Sequence, residues 1–140
     1  MTIFRVPVQR RFSDIDMLGH VNNVVFHDYL QEARVHVIRE MTASANVTFT
    51  HVIVRQEIDH LRPLFLKAEP ITVEIWIPKI GGASYQFKYR IIDDDGTVAA
   101  RAQSHMAYFN PQTQSATRIP ADIRAMLTAA IEPDEEPANA

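Results

Sequence analysis

The chain reads as an α+β domain in which one long helix lies on an antiparallel sheet. Three observations lead there. A single apolar stripe with three- and four-residue spacing runs from Val24 to Met41. The segments after it alternate apolar and polar residues, the two-residue period of strands. Turn signals, Gly81-Gly82 and Asp94-Asp95-Gly96, separate those segments as hairpins do.

Ile3 to Arg11 is the first strand, with Phe4, Val6 and Val8 on one face and Arg5 and Gln9 on the other. Pro7 cannot donate to a ladder, so this strand belongs at an edge. A loop, SDIDMLGH, leads to Asn22 and Asn23, either of which can cap a helix by accepting a first-turn N–H. Phe26, Tyr29, Leu30, Ala33, Val37 and Met41 then form the helical stripe. The helix ends around Met41 to Ala45, which makes it ~28 Å long at ~1.5 Å per residue. An element of that length needs a sheet to cover it.

His51 to Leu61, Ile71 to Ile77, Ala83 to Asp93 and Thr97 to Phe109 are the remaining strands. The paired glycines 81 and 82 are expected to turn the chain through positive φ. Ile119-Pro120 introduces a short helix, Ala121 to Ala130, and an acidic tail, Glu132 to Ala140, is expected to fray. A single domain over residues 1–131 is the result. Its open sheet leaves two edges, so pairing with a second copy is expected.

Composition narrows the function. At 140 residues the chain is long enough for one real core. A net charge of -3 supplies no field for nucleic acid or an anionic membrane. There is no cysteine, which removes disulfides, thiolate metal sites and cysteine nucleophiles. MTIFRVPVQRRF has no apolar signal core and no stretch approaches the ~18 residues of a membrane span, so the expected location is the cytoplasm. The six histidines form no HExxH or comparable ligand pair, and no metal site is expected. No phosphate-cradling glycine loop and no GxSxG elbow is present.

The stretch Arg11 to Arg34, RFSDIDMLGHVNNVVFHDYLQEAR, holds the candidate site. Asp16 precedes a glycine turn at Gly19 and a helix N-terminus, where free N–H groups and the positive end of the dipole gather. Such an end can receive a developing oxyanion, and a carboxylate beside it can serve as nucleophile or as general base on water. On turn chemistry alone Asp16 reads as a turn-former. Asp14 reads as a salt-bridged surface group, with Arg11 or Arg34 as partner. The Asn23 N–H is the donor to aim at a substrate carbonyl. His20 is a proton shuttle or a structural turn histidine. Glu32 lies ~13 Å along the helix from Asn23, too far to share its reacting centre.

Asp16-Met17-Leu18-Gly19-His20-Val21-Asn22-Asn23, followed by Tyr29, Glu32, Ala33 and Arg34, resembles the acyl-CoA thioesterases of the hotdog fold, in particular the 4-hydroxybenzoyl-CoA thioesterase-like family. Leu61-Arg62-Pro63-Leu64, Ile80 to Tyr85 and Ile119-Pro120 extend the likeness across nearly the whole chain. The resemblance implies a curved antiparallel sheet wrapped around the long helix, and a homodimer or a dimer of dimers with sites at the interface. It implies that Asp16 carries the chemistry and that the Asn23 amide polarises a thioester carbonyl. Gly19, His20, Arg62 and Ser84 are the implied substrate-binding positions, Ser84 by analogy with hydroxyls near the second hairpin. Coenzyme A enters as part of the substrate, and no separate cofactor is implied. Phe26 stands where several relatives carry Tyr, and Asn23 where aromatic-acyl members carry Tyr or His, which favours an aliphatic acyl group. Two alternatives on the same fold stay open: an acyl-thioester hydratase or dehydratase, and a non-catalytic acyl-binding module.

Overall fold

The computed structural model describes residues 2–43, 45, 47 and 49–133; most of the acidic tail lies outside them. The elements follow the order β1 (Phe4–Val8), α1 (Asn23–Thr42), β2 (His51–His60), β3 (Ile71–Trp76), β4 (Ser84–Ile92), β5 (Val98–Asn110), a two-residue β6 (Ser115–Ala116) and α2 (Ala121–Ala129). A curved antiparallel sheet in the order β1-β3-β4-β5-β2 carries the long helix on one face, with β6 added to β5. This is the hotdog arrangement.

β1 is an edge strand, as Pro7 requires, and β2 is the other edge. β3–β4 and β4–β5 are hairpins, whereas β2 crosses the whole sheet to pair with β5. Alternation sets the faces. Tyr85, Phe87, Tyr89 and Ile91 of β4 are all buried beneath the helix, with Ile71, Val73 and Ile75 of β3 beside them. Phe26, Tyr29, Leu30, Ala33 and Val37 of α1 meet them in one core. Arg34 shares that stripe and is buried with it, at 4% exposure. α1 rests mainly on β1 and β3, and its side chains reach Gln56 and His60 of β2. Among the described residues no helix is long and apolar enough to cross a membrane.

The glycines between β3 and β4 differ from expectation. Gly19 and Gly96 occupy positive φ, at 87° and 86°, and Gly81 and Gly82 do not. Position 81 is tight: a Cβ there would stand 3.1 Å from Ser84 Oγ, which would have to shift.

β1 is fixed at its far end by Arg10. Its side chain is fully buried and pairs with Asp93 at 2.6 Å and Asp94 at 3.0 Å. It also donates to the carbonyls of Phe65 and Glu69. Strand, hairpin and the 65–69 segment are thereby tied into one frame beside the loop that follows β1.

Candidate active site

The loop from β1 to α1 is built on Asp14. The chain leaves the extended conformation after Arg11 and makes one 3-10 turn, Phe12–Asp14. Asp14, at the end of this turn, is 1% exposed, so it is not a surface group. Of the two arginines considered as its partner, it takes Arg11. Its Oδ1 accepts from Arg11 Nε at 3.1 Å and Nη2 at 2.9 Å. Its Oδ2 accepts from the Arg11 N–H at 3.0 Å and from the Tyr29 hydroxyl at 2.7 Å. Burial raises the Asp14 pKa, but hydrogen bonds from Arg11 and Tyr29 outweigh it and hold the carboxyl below its ordinary value. Burial, and then the bond to Asp14, push the Tyr29 phenol upward. The Asp14 carbonyl in turn accepts the Asn22 N–H at 2.9 Å. One buried residue thus holds both the start of the loop and the start of the helix.

Between these anchors the chain closes on itself. Ile15 and Val21 form a bridge. The Asp16 N–H donates to the His20 carbonyl at 2.9 Å, and the Gly19 N–H to the Asp16 carbonyl at 3.1 Å. Gly19 turns the loop with φ at 87°, and a Cβ there would touch nothing, so backbone conformation alone selects the glycine. Val21 and His20 are pinned to Leu64 and Phe65 of the segment after β2.

The Asp16 carboxylate is 25% exposed. Its Oδ1 accepts the Leu18 N–H at 2.9 Å, and its Oδ2 has no partner among the described residues. His20 Nδ1 lies 3.7 Å from Oδ1. Asn22 is the helix cap, its side chain accepting the Val24 N–H at 2.9 Å. Asn23 is therefore the first helical residue, and its N–H, at the positive end of a 20-residue helix, donates to no described group.

A cavity of about 180 Å³ opens at this end of the helix, lined by His20, Val21, Asn23, Phe26, His60, Leu61, Arg62 and Pro63. Three of the residues singled out from sequence, His20, Asn23 and Arg62, meet there, and Asp16 adjoins through His20. His60 and Phe26 join the lining in edge contact, ring centroids 4.7 Å apart. Burial first, and His27 second, lower the His60 pKa. The β2 alternation that turns Gln56, Ile58 and His60 toward the helix was readable, but that the helix stood over that face was not.

Ser84 is not brought to this place within one chain. β-register sets Ile91 and His60 on either side of Ala100, and Ser84 is seven residues back along β4, ~23 Å away at ~3.3 Å per residue. Glu32 is turned elsewhere as well, into a groove of about 440 Å³ with Val8, Gln9, Arg11 and His36.

Comparison with known proteins gives a consistent picture. A family model described as thioesterase-like superfamily matches residues 10–127. The chain is similar to a predicted thioesterase from Bacillus stearothermophilus, 26% identical, with 95% of this chain and 99% of that one covered and a TM-score of 0.85. It is also similar to a thioesterase from Thermus thermophilus solved with coenzyme A and zinc, 28% identical, with 89% and 92% covered and a TM-score of 0.76. Among curated proteins it matches the uncharacterized protein YsmA of Bacillus subtilis, 30% identical over 83 residues, which span 59% of this chain and 56% of that protein.

Proposed function

The chain belongs to the thioesterase-like superfamily, and on that premise we propose that it hydrolyses an acyl-CoA to free acid and coenzyme A at the junction of Asp16 and Asn23. The observation that carries this reading is the pairing of a half-open carboxylate with an unoccupied backbone donor at a helix N-terminus.

The roles follow from that geometry. The thioester carbonyl points at the Asn23 N–H, where the helix dipole stabilises the charge that builds on oxygen. The free Oδ2 of Asp16 either attacks the carbonyl carbon, expelling the thiolate and leaving an anhydride that water opens, or takes a proton from a water that attacks instead. In both routes the carbon–sulfur bond breaks, one water is consumed to give the free acid, and the sulfur leaves with a proton. His20, beside the carboxylate, is placed to carry that proton. Arg62 at the cavity rim supplies a cation for the phosphates of coenzyme A, the ligand of the Thermus thermophilus relative. Glu32 faces away from the cavity, which tells against the hydratase alternative.

A second copy belongs to this reading. β2 ends the sheet with Val52, Ile53 and Val54 exposed by 40%, 43% and 68%, and a long apolar edge of this kind calls for a partner strand. Met17 and Leu18, beside Asp16, are 98% and 75% exposed and would be covered by that partner or by the substrate.

The test is thiol release from acyl-CoAs of graded length, aromatic ones included, by wild type and Asp16→Asn. Wild type should turn over an aliphatic member best, and the variant should lose a factor of ~10² or more. Undiminished turnover by a folded Asp16→Asn would remove Asp16 from the chemistry. Binding without turnover by wild type would favour an acyl-binding module.

A further inference from the structure

Arg34 carries a permanent charge, sits in the core at 4% exposure, and has no counter-charge among the described residues. Its Nη1 donates to Gln56 Oε1 at 2.5 Å and to the Tyr89 hydroxyl at 3.2 Å, both neutral. It forms no ion pair with any described carboxylate. Tyr89 cannot serve as the missing anion, because burial pushes its phenol up and keeps it protonated. The same molecule shows how a buried arginine is held for structure alone: Arg10 is neutralised by Asp93 and Asp94 and bonded to two carbonyls. An unneutralised buried charge is among the most expensive features a fold can carry, and Arg34 has been left with one.

Its surroundings form a polar line leading back to the candidate active site. Long side chains join α1 to β2. Phe26 meets His60 at the cavity, His27 meets Gln56 at 2.6 Å, and Gln56 meets Arg34. From Asn23 to Arg34 the helix rises ~16 Å. An arginine side chain leans about one turn toward the helix N-terminus, which leaves ~10 Å between the Asn23 N–H and the guanidinium. At ~1.2 Å per extended bond, a chain of about eight carbons bridges it.

We propose that Arg34 receives a carboxylate at the far end of the acyl chain, so that the acyl group is an aliphatic chain of about eight carbons acidic at both ends once hydrolysed. The proposal rests on the thioesterase reading and names its substrate class. Gln56 and Tyr89 hold the guanidinium in place, Ser104 holds the Tyr89 hydroxyl, and the remaining Arg34 donors are left for a bidentate carboxylate. A plain alkyl end would leave the charge unpaired, and sites built around a polar partner reject analogues that lack it.

The experiment compares kcat/KM for thiol release from suberoyl-CoA and octanoyl-CoA, which share a carbon count and differ in the terminal carboxylate. Wild type should favour suberoyl-CoA by tenfold or more. Arg34→Gln should bring the ratio near one, and Arg34→Lys, which keeps the charge but not the planar fork, should fall between. If Arg34→Gln does not fold, the wild-type ratio and Arg34→Lys decide. A wild-type ratio of one or less, with octanoyl-CoA turned over, overturns this inference and leaves the thioesterase reading standing; a carboxylate of a second copy seated on Arg34 would produce that result. A preference that survives in Arg34→Gln takes the carboxylate away from Arg34. Release of thiol from neither compound, with turnover of another acyl-CoA of the graded panel, overturns this inference and leaves the thioesterase reading standing; turnover of no member of the panel removes both.

Discussion

Tyr29→Phe removes one oxygen from the centre of the frame that holds the loop carrying Asp16. The ring is 2% exposed, and its hydroxyl donates to Asp14 Oδ2 at 2.7 Å. A hydrogen bond to a charged group contributes ~1.5–3 kcal/mol. The Asp14 carboxylate keeps three donors from Arg11, so it is not stripped, but the Arg11 side chain is 64% exposed and its pairing is screened by water. The expected loss is therefore about 1.5–2 kcal/mol, at the low end of that range. For a domain of this size it lowers Tm by roughly 5 °C. Phenylalanine fits the same space, so no cavity contributes.

The acid limb offers an independent check. The folded Asp14 pKa lies below the unfolded value, so the folded chain binds fewer protons there. Its contribution is full above the unfolded pKa and is lost as pH falls through the folded one. Without Tyr29 one of the lowering hydrogen bonds is gone and the folded pKa moves up toward the unfolded one, so the acid-dependent loss should be smaller and complete at higher pH. Urea unfolding followed by circular dichroism, from pH 7 to pH 3 at one protomer concentration, measures both effects. Activity supplies the third: with Asp14 less firmly held, kcat for thiol release should fall ten- to a hundredfold. A variant with an unshifted urea midpoint, an unshifted acid limb and unchanged kcat would show that the clamp does not hold the loop.

Gly19→Ala should cost ~1–2 kcal/mol by conformation alone, since φ is 87° and the added Cβ meets nothing; Gly19→Asn, which tolerates the left-handed region, should cost less, and equal melting temperatures for the two would contradict this. His51 is pushed down to about 4, by burial first and Arg34 second. The unfolded chain therefore takes up its proton first on acidification, and stability should decline between pH 6.5 and about 4 by up to ~1.4 kcal/mol per unit. His51→Gln should flatten that part of the curve, and parallel urea midpoints at pH 7, 6 and 5 would argue otherwise. Val54→Asp places a charge on the exposed edge of β2 and should shift the protein to the monomer on size exclusion with light scattering, with thiol release lost; an unchanged mass with full activity would place the second copy elsewhere.

Much of this architecture could be read from local pattern because local physics sets it. Alternation placed the strands, Pro7 put β1 at an edge, and the stripe from Phe26 to Val37 gave the helix and its buried face. Asp14 reads from its charge as a surface group, whereas the structure buries it because Arg11 and Tyr29 together satisfy the carboxylate, and a Tyr29 partner fifteen residues away is not visible in the local pattern. Gly81 and Gly82 do lie in the turn between β3 and β4, but neither uses positive φ, and the Gly81 N–H closes the turn onto the Ser84 carbonyl instead. Arg34 is the opposite case. It lies four residues from Leu30 and three from Val37, so periodicity places it in the core, while its charge argues for the surface. Position in the stripe was the stronger signal.

The strand crossing explains what stayed hidden. β2 follows α1 in the chain yet pairs at the far edge of the sheet, and nothing in its own sequence specifies that destination. Asp16, Gly19 and Asn23 sit within one continuous stretch, so their arrangement survives in the sequence as a motif. Gln56 and His60 reach the same cleft only through β2–β5 pairing. The proposed acyl site therefore has a local end and a long-range end, and both are measured along one rigid helix. Its rise of ~1.5 Å per residue makes α1 a ruler between Asn23 and Arg34. An ω-carboxylated acyl group shorter by one helical turn, ~5.4 Å or some four carbons, could then satisfy the Asn23 N–H or the guanidinium, but not both together.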